Sequence, residues 1–255
     1  AWEARSFASR CPSEGACDGT AAEGENAEAV TGLALLAFLA RGYDGRAGPY
    51  AGTVRSAAAF LAASQGPDGT FVGWAGRAWT QGERPPSDLY THGICTLAMA
   101  ELYGLGGDPR AGEAVRRAVG VIVRSQQAPG GGWDYGYDPR TGRNDLSVTG
   151  WQVMALRAAS SAGVEVPAET LLSLVRCLKS MERADGRMVY ADTDPGGGNR
   201  TLGATAAGLA AKQFLGWSAE DRHLREGIEF LAATTPDWEA AAQGQRDPLG
   251  GRHNM

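Results

Sequence analysis

The chain repeats itself, and that repeat limits what it can fold into more than any other feature of the sequence. Four segments share one order. A polar start leads to a Thr or small residue beside Gly, then an apolar helix, a second helix, a Gln or Glu, and a Gly-rich turn carrying an aromatic. The first helices read Val30-Thr31-Gly32-Leu33-Ala34-Leu35, Thr91-His92-Gly93-Ile94-Cys95-Thr96 and Val148-Thr149-Gly150-Trp151-Gln152-Val153, with a fourth from Leu202 to Gln213. Glycines 32, 93 and 150 are 61 and 57 residues apart.

The second helices end in a sharper signature. Phe60-Leu61 is followed by Gln65 and the turn to Phe71; Val121-Ile122 by Gln126 and Gly130-Gly131-Gly132-Trp133. Cys177-Leu178 leads to Glu182 and Asp185-Gly186-Arg187-Met188, and Phe230-Leu231 only to Thr235-Pro236-Asp237-Trp238. Gly and Pro stop the second helix and turn the chain. The Gln amide is expected to cap carbonyls at that helix end, and the aromatic to cover the joint. Each hairpin is apolar on more than one face, so it must stack on its neighbours to bury them. The first helices, rich in Ala and Gly, are expected to form a crowded inner layer. The second carry Arg55, Arg116, Arg117, Arg176 and Lys179 and are expected to face solvent. The expectation is an all-α arc of about four αα-hairpins, with no alternating strand pattern to compete with it.

Composition narrows the function classes. The chain has 37 glycines in 255 residues but not at every third position, and only 12 prolines, which excludes collagen. A net charge of −5, with no Lys/Arg run longer than two, argues against a nucleic-acid binder. The longest apolar stretch, Thr31 to Ala40, is about half a membrane span. Cys95 and Cys177 lie in apolar helical patterns and read as small core hydrophobes. Cys11 and Cys17 sit in a Gly/Ser-rich segment, where both a disulfide and two free thiols remain open.

The Gln-to-aromatic signature resembles the QW repeat of squalene and hopene cyclases. The whole hairpin resembles the repeat these enzymes share with protein prenyltransferase β-subunits. The resemblance covers roughly residues 26 to 235, and Leu89-Tyr90-Thr91-His92-Gly93 and Ser147-Val148-Thr149-Gly150-Trp151-Gln152 place it nearest a bacterial branch of these repeat proteins. It implies an α/α toroid around a central apolar cavity, and hence an apolar or isoprenoid small molecule, or a protein segment, as the partner.

Neither catalytic set of that family is legible. Zinc-dependent prenyl transfer implies an Asp-x-Cys at the head of an inner helix; here Asp145-Leu146-Ser147 places a serine where the thiolate is needed. The third ligand, a His, would fall near Leu202. Cyclisation implies an Asp-x-Asp-Asp-Thr acid, whose nearest string is Asp192-Thr193-Asp194-Pro195 in a Gly-rich turn. No cofactor or metal is therefore expected. No nucleophile elbow or phosphate-cradling loop is present either.

The candidate ligand- or cavity-lining residues are Tyr90, His92, Trp133, Asp145 and Trp151. His92 reads equally as a satisfied structural histidine, and Asp145 as a helix N-cap, with Asp88, Asn144 and Asn199 in equivalent lead-ins. The turn aromatics Trp74, Trp79, Tyr90, Trp133, Tyr135, Tyr137 and Trp151 could pack between hairpins or face a cavity. Bulky Leu33, Leu36, Met154 and Leu209 could close the centre.

The domain reading is an irregular segment over 1–25, the repeat domain over 26–240 and a polar tail over 241–255 leading into a further repeat. An unclosed ring exposes apolar edges, so self-association through them is expected. The leading functional expectation is a non-catalytic ligand- or segment-binding repeat domain. The alternative is part of a cyclase or prenyltransferase whose acid or metal site lies outside residues 1–255.

Overall fold

A computed structural model describes residues 2, 27–71, 88–193 and 201–234. These residues are all-α. Eight helices follow one another: α1 (Ala27–Ala40), α2 (Ala51–Ser64), α3 (Asp88–Gly106), α4 (Pro109–Arg124), α5 (Leu146–Ser161), α6 (Ala168–Ser180), α7 (Thr201–Phe214) and α8 (Arg222–Ala233). Among the described residues β-pairing is limited to isolated bridges, two of which, Gln65 with Phe71 and Glu182 with Met188, close the turns after α2 and α6. Cys11, Cys17, Trp74, Trp79, Asp194, Asn199 and the turn at 235–238 lie outside the described residues.

The odd-numbered helices pack in a row, α1 on α3, α3 on α5 and α5 on α7; α2, α4 and α8 pack on their hairpin partners. The glycines explain how closely the row is drawn together. A Cβ on Gly32 would stand 3.0 Å from Ile94 Cγ2, and one on Gly93 would stand 2.7 Å from Gln152 Nε2 and 3.0 Å from Trp151 Cβ. Gly32 and Gly93 thus each face the residue just after the next inner glycine. Gln152 Nε2 also donates to Leu89 O across the same interface (2.8 Å).

A second register holds the layers together. Thr31, His92, Thr149 and Thr205, at one position of the four inner helices, each accept a hydrogen bond from a backbone N–H earlier in the chain. Phe71 N–H donates to His92 Nδ1 (3.1 Å) and Trp133 N–H to Thr149 Oγ1 (3.0 Å). Met188 N–H donates likewise to Thr205 Oγ1 and Trp2 N–H to Thr31 Oγ1, both at 3.0 Å. The turn residues Phe71, Trp133 and Met188 are fully buried under the next inner helix. Each follows by two a glycine at positive φ: Gly69, Gly131 and Gly186. These glycines also lie against the next outer helix, where a Cβ on Gly69 would stand 2.8 Å from Arg117 O and one on Gly131 would meet Ser173 O. Both conformation and space therefore demand glycine there.

The Gln of the signature works differently from the expected cap. Gln65 Nε2 donates to Gly69 O (3.0 Å) and to Ala114 O of α4 (2.9 Å). Gln126 Nε2 donates to Gly131 O (2.8 Å) and to Thr170 O of α6 (2.9 Å). The amide ties its own turn to the following outer helix and leaves its own helix end alone, because the chain has already turned away there.

Candidate functional site

The two central inner helices, α3 and α5, are sheathed on every side but one. Between Leu89 and Leu102 of α3 every residue is buried except Tyr90, Leu97 and Glu101. Between Leu146 and Ala159 of α5 the exceptions are Ser147, Trp151, Met154 and Arg157. These positions recur at helical spacing, so they form one stripe along each helix. Leu33 and Leu36 of α1 and Gly203, Ala207 and Ala210 of α7 carry the stripe onto the flanking helices.

At the N-terminal end of this face the stripe is polar. Asp145 caps α5, accepting from Ser147 N–H (3.0 Å) and Val148 N–H (3.2 Å) on Oδ1. Its Oδ2 accepts from Arg143 Nη2 (2.7 Å). Arg143 also pairs with Asp134 and lies 5.0 Å from the centre of the Tyr135 ring. The Ser147 hydroxyl donates to Asp145 Oδ1 and meets the Tyr90 hydroxyl, with the Tyr190 hydroxyl 3.4 Å away. Tyr190 and Tyr135 join oxygen to oxygen at 2.8 Å, and the Tyr90 and Tyr135 rings lie 5.9 Å apart. Burial, reinforced by the Asp145 charge, pushes the Tyr90 phenol up to about 12; burial and the bond to Tyr190 raise Tyr135 as well. Burial alone would favour a neutral Arg143, but Asp145 and Asp134 hold it more firmly charged. At neutral pH Tyr90 and Tyr135 present neutral phenols beside the Asp145–Arg143 ion pair.

At the other end the stripe becomes apolar. The C-terminal halves of α1, α3 and α5 and the end of α7, with Val166 just ahead of α6 and Leu171 and Leu174 in its first half, surround a hollow of about 1010 Å3. Leu36, Leu97, Leu105, Met154 and Phe214 line it, with Glu101 and Arg157 adding charge. Leu105 and Phe214 are 46% and 43% exposed and bring apolar surface to the rim of the hollow.

The five candidate residues divide. Tyr90 and Asp145 meet in the polar cluster, joined through Ser147, and Trp151 lies one helical turn beyond Ser147. His92 and Trp133 do not face the stripe. Trp133 is 0% exposed and donates from Nε1 to Ile122 O (2.8 Å), sealing the joint after α4. His92 is equally buried; its Nδ1 accepts from Phe71, so Nε2 carries the proton and donates to Ala118 O (3.0 Å). Burial lowers its pKa to about 4 and keeps it neutral. Both are corrected from cavity-lining to joint residues, because the inner-helix face they occupy turns toward the outer layer. Asn144 is no cap either: its Oδ1 accepts from Gly132 N–H (2.7 Å) and its amide donates to Asp192.

Arg143 and Tyr190 escaped the sequence reading. The signal for Tyr190 was present, since Met188-Val189-Tyr190 repeats Trp133-Asp134-Tyr135 with a tyrosine two residues after the turn residue. Leu209, a candidate plug, is buried beside Gly227 of α8, whereas Leu36 and Met154 line the hollow.

The donor set does not suit zinc. Both Asp145 oxygens are already engaged by two backbone N–H groups, a hydroxyl and a guanidinium, and Ser147 cannot supply a thiolate. Among the described residues no group of three or more His, Cys, Asp or Glu could hold a metal ion, and no helix is long and apolar enough to cross a membrane. No family model, no curated protein and no solved structure matches the chain.

Proposed function

We propose that this chain is a prenyltransferase/squalene-cyclase-like repeat domain that binds an elongated apolar molecule of isoprenoid type along its inner face. It acts as a binding protein and carries out no chemistry of its own. The observation that supports this reading is the stripe on α3 and α5, which leads from the Tyr90–Ser147 cluster into the hollow. A hollow of about 1010 Å3 sits at the upper end of small-molecule pockets, which span roughly 300–1,000 Å3. Ser147 to Met154 covers about 10 Å of helix, enough for about two isoprene units to lie along the stripe before reaching the hollow. Desolvation of Leu97, Leu105, Met154 and Phe214 supplies the driving force.

Organic extraction of the purified, unboiled protein followed by mass spectrometry tests this. Near-stoichiometric release of an apolar chain from the wild type, and none from Leu97→Trp/Met154→Trp, is the expected result. Both substitutions add bulk at partly exposed positions, so they fill the hollow without opening the core. A blank extract, together with no uptake of added squalene or farnesol, would overturn the reading.

A further inference from the structure

The polar cluster has a composition that chooses among ligands. Tyr90, Tyr135, Tyr190 and Ser147 bring four hydroxyl groups to one end of the stripe, and none of these side chains is fully buried. Hydroxyls both donate and accept. Asp145 only accepts, so Ser147 gives it a proton and in turn accepts from Tyr90. The contact between Tyr135 and Tyr190 extends the same network. A ligand hydroxyl can enter such a network as one more member that accepts from one neighbour and donates to the next. An ether or a bare alkene cannot do both.

Charge sets the second limit. Asp134 and Asp145 flank the cluster through Arg143, and Asp192 lies close by, its Oδ1 accepting from the N–H of Asn144 (2.9 Å), next to Asp145 in sequence. Against these three carboxylates Arg143 is the one cation among the described residues that contacts the cluster, and Asp134 and Asp145 already occupy it. A phosphate or diphosphate would bring further negative charge to a place where the described residues carry a formal excess of acid and set no second guanidinium or ammonium against the cluster.

We infer that this end of the site takes the uncharged hydroxyl of a long apolar alcohol and rejects the corresponding diphosphate. The inference rests on the proposed apolar-binding reading: the hollow holds the chain and the hydroxyl cluster selects its end.

Tryptophan-quenching titrations of the full chain with farnesol, farnesyl diphosphate and the hydrocarbon β-farnesene separate the two readings. Farnesol should bind about tenfold tighter than either competitor, as one or two net hydrogen bonds would give. Tyr90→Phe and Tyr190→Phe should each weaken farnesol toward the β-farnesene level while leaving β-farnesene itself unchanged, which also shows that the variants fold. Equal affinity for farnesol and β-farnesene, or diphosphate binding at least as tight as farnesol, would overturn the hydroxyl site while the apolar hollow stands. Failure of all three to bind would overturn the hollow and this inference together.

Discussion

The joints after α2 and α4 and the joint after α6 occupy the same place in the repeat but are closed by different chemistry. Gln65 and Gln126 each donate from an amide to a carbonyl of the next outer helix and need no charge. At the third joint Glu182 stands in the glutamine's position and has no proton to give. Lys212 of α7, whose side chain is 0% exposed, donates to one carboxylate oxygen, and His223 of α8 donates to the other. The Trp217 ring lies 5.6 Å from Lys212 Nζ, with Asp221 at 4.0 Å. Burial lowers the pKa of Lys212, and the nearby Asp221 charge opposes that. One change from amide to carboxylate has thus drawn the Lys212 ammonium into the interior and set the half-exposed His223 imidazole against the other oxygen, since a carboxylate shielded from water must be paired.

The largest test removes what all the joints share. Trp133→Ala should cost about 5 kcal/mol, the upper end of the range for a buried aromatic, because the indole also loses its bond to Ile122 O. Urea denaturation measures it; a loss under about 2 kcal/mol would mean that the amide staples, and not the turn residues, hold the repeats together.

Next comes the charged joint itself. Lys212→Met should destabilise by about 4 kcal/mol by leaving Glu182 short of a partner. Adding Glu182→Gln should recover most of that, by converting the third joint to the amide kind. A double variant as unstable as the single one would show that Lys212 acts through packing, not through Glu182.

His92 supplies a test through pH. Its folded pKa of about 4 lies below the unfolded value of about 6.5, so the unfolded chain takes up this proton first. Stability from this residue is therefore complete above pH 6.5 and falls by about 3 kcal/mol as pH drops to 4. His92→Thr, which places at 92 the residue type found at 31, 149 and 205, should lose less of its stability over that interval than wild type. Identical pH profiles for the two proteins would show that the histidine is not the titrating group.

The smallest effect compares the two neutral joints. Gln126→Ala should cost about 1–2 kcal/mol through its two lost bonds. Gln65→Ala should cost a similar amount, since Gln65 also accepts from the exposed Arg117, an attachment that adds little. A difference above about 1 kcal/mol between them would break the equivalence of the first two joints.

Much of the fold was legible because the repeat is written in residues with backbone meaning. Gly69, Gly131 and Gly186 mark turns at positive φ, Gly32 and Gly93 mark close helix contacts, and the aromatic after each turn marks a joint. Cys95 and Cys177 were legible as small core hydrophobes, and both are buried and free. The candidate site was only half legible. Asp145 announced itself as a cap, but its link through Ser147 to Tyr90 joins residues 57 apart, and its neighbours Arg143 and Tyr190 belong to loops. His92 beside Tyr90 suggested a shared opening. On a helix, however, residues two apart point about 200° from each other, so one faces the stripe and the other the joint.

By itself the sequence determined an all-α chain of stacked hairpins, because helix periodicity, turn glycines and internal repetition are local properties that each copy restates. Only the tertiary structure decided which face of each inner helix stays open, that Gln65 and Gln126 bind the following hairpin, and that Glu182 gathers Lys212 and His223. Those outcomes depend on which groups of different repeats come within hydrogen-bonding distance. Helix rotation fixes that distance, and one amide-to-carboxylate change is enough to redirect it.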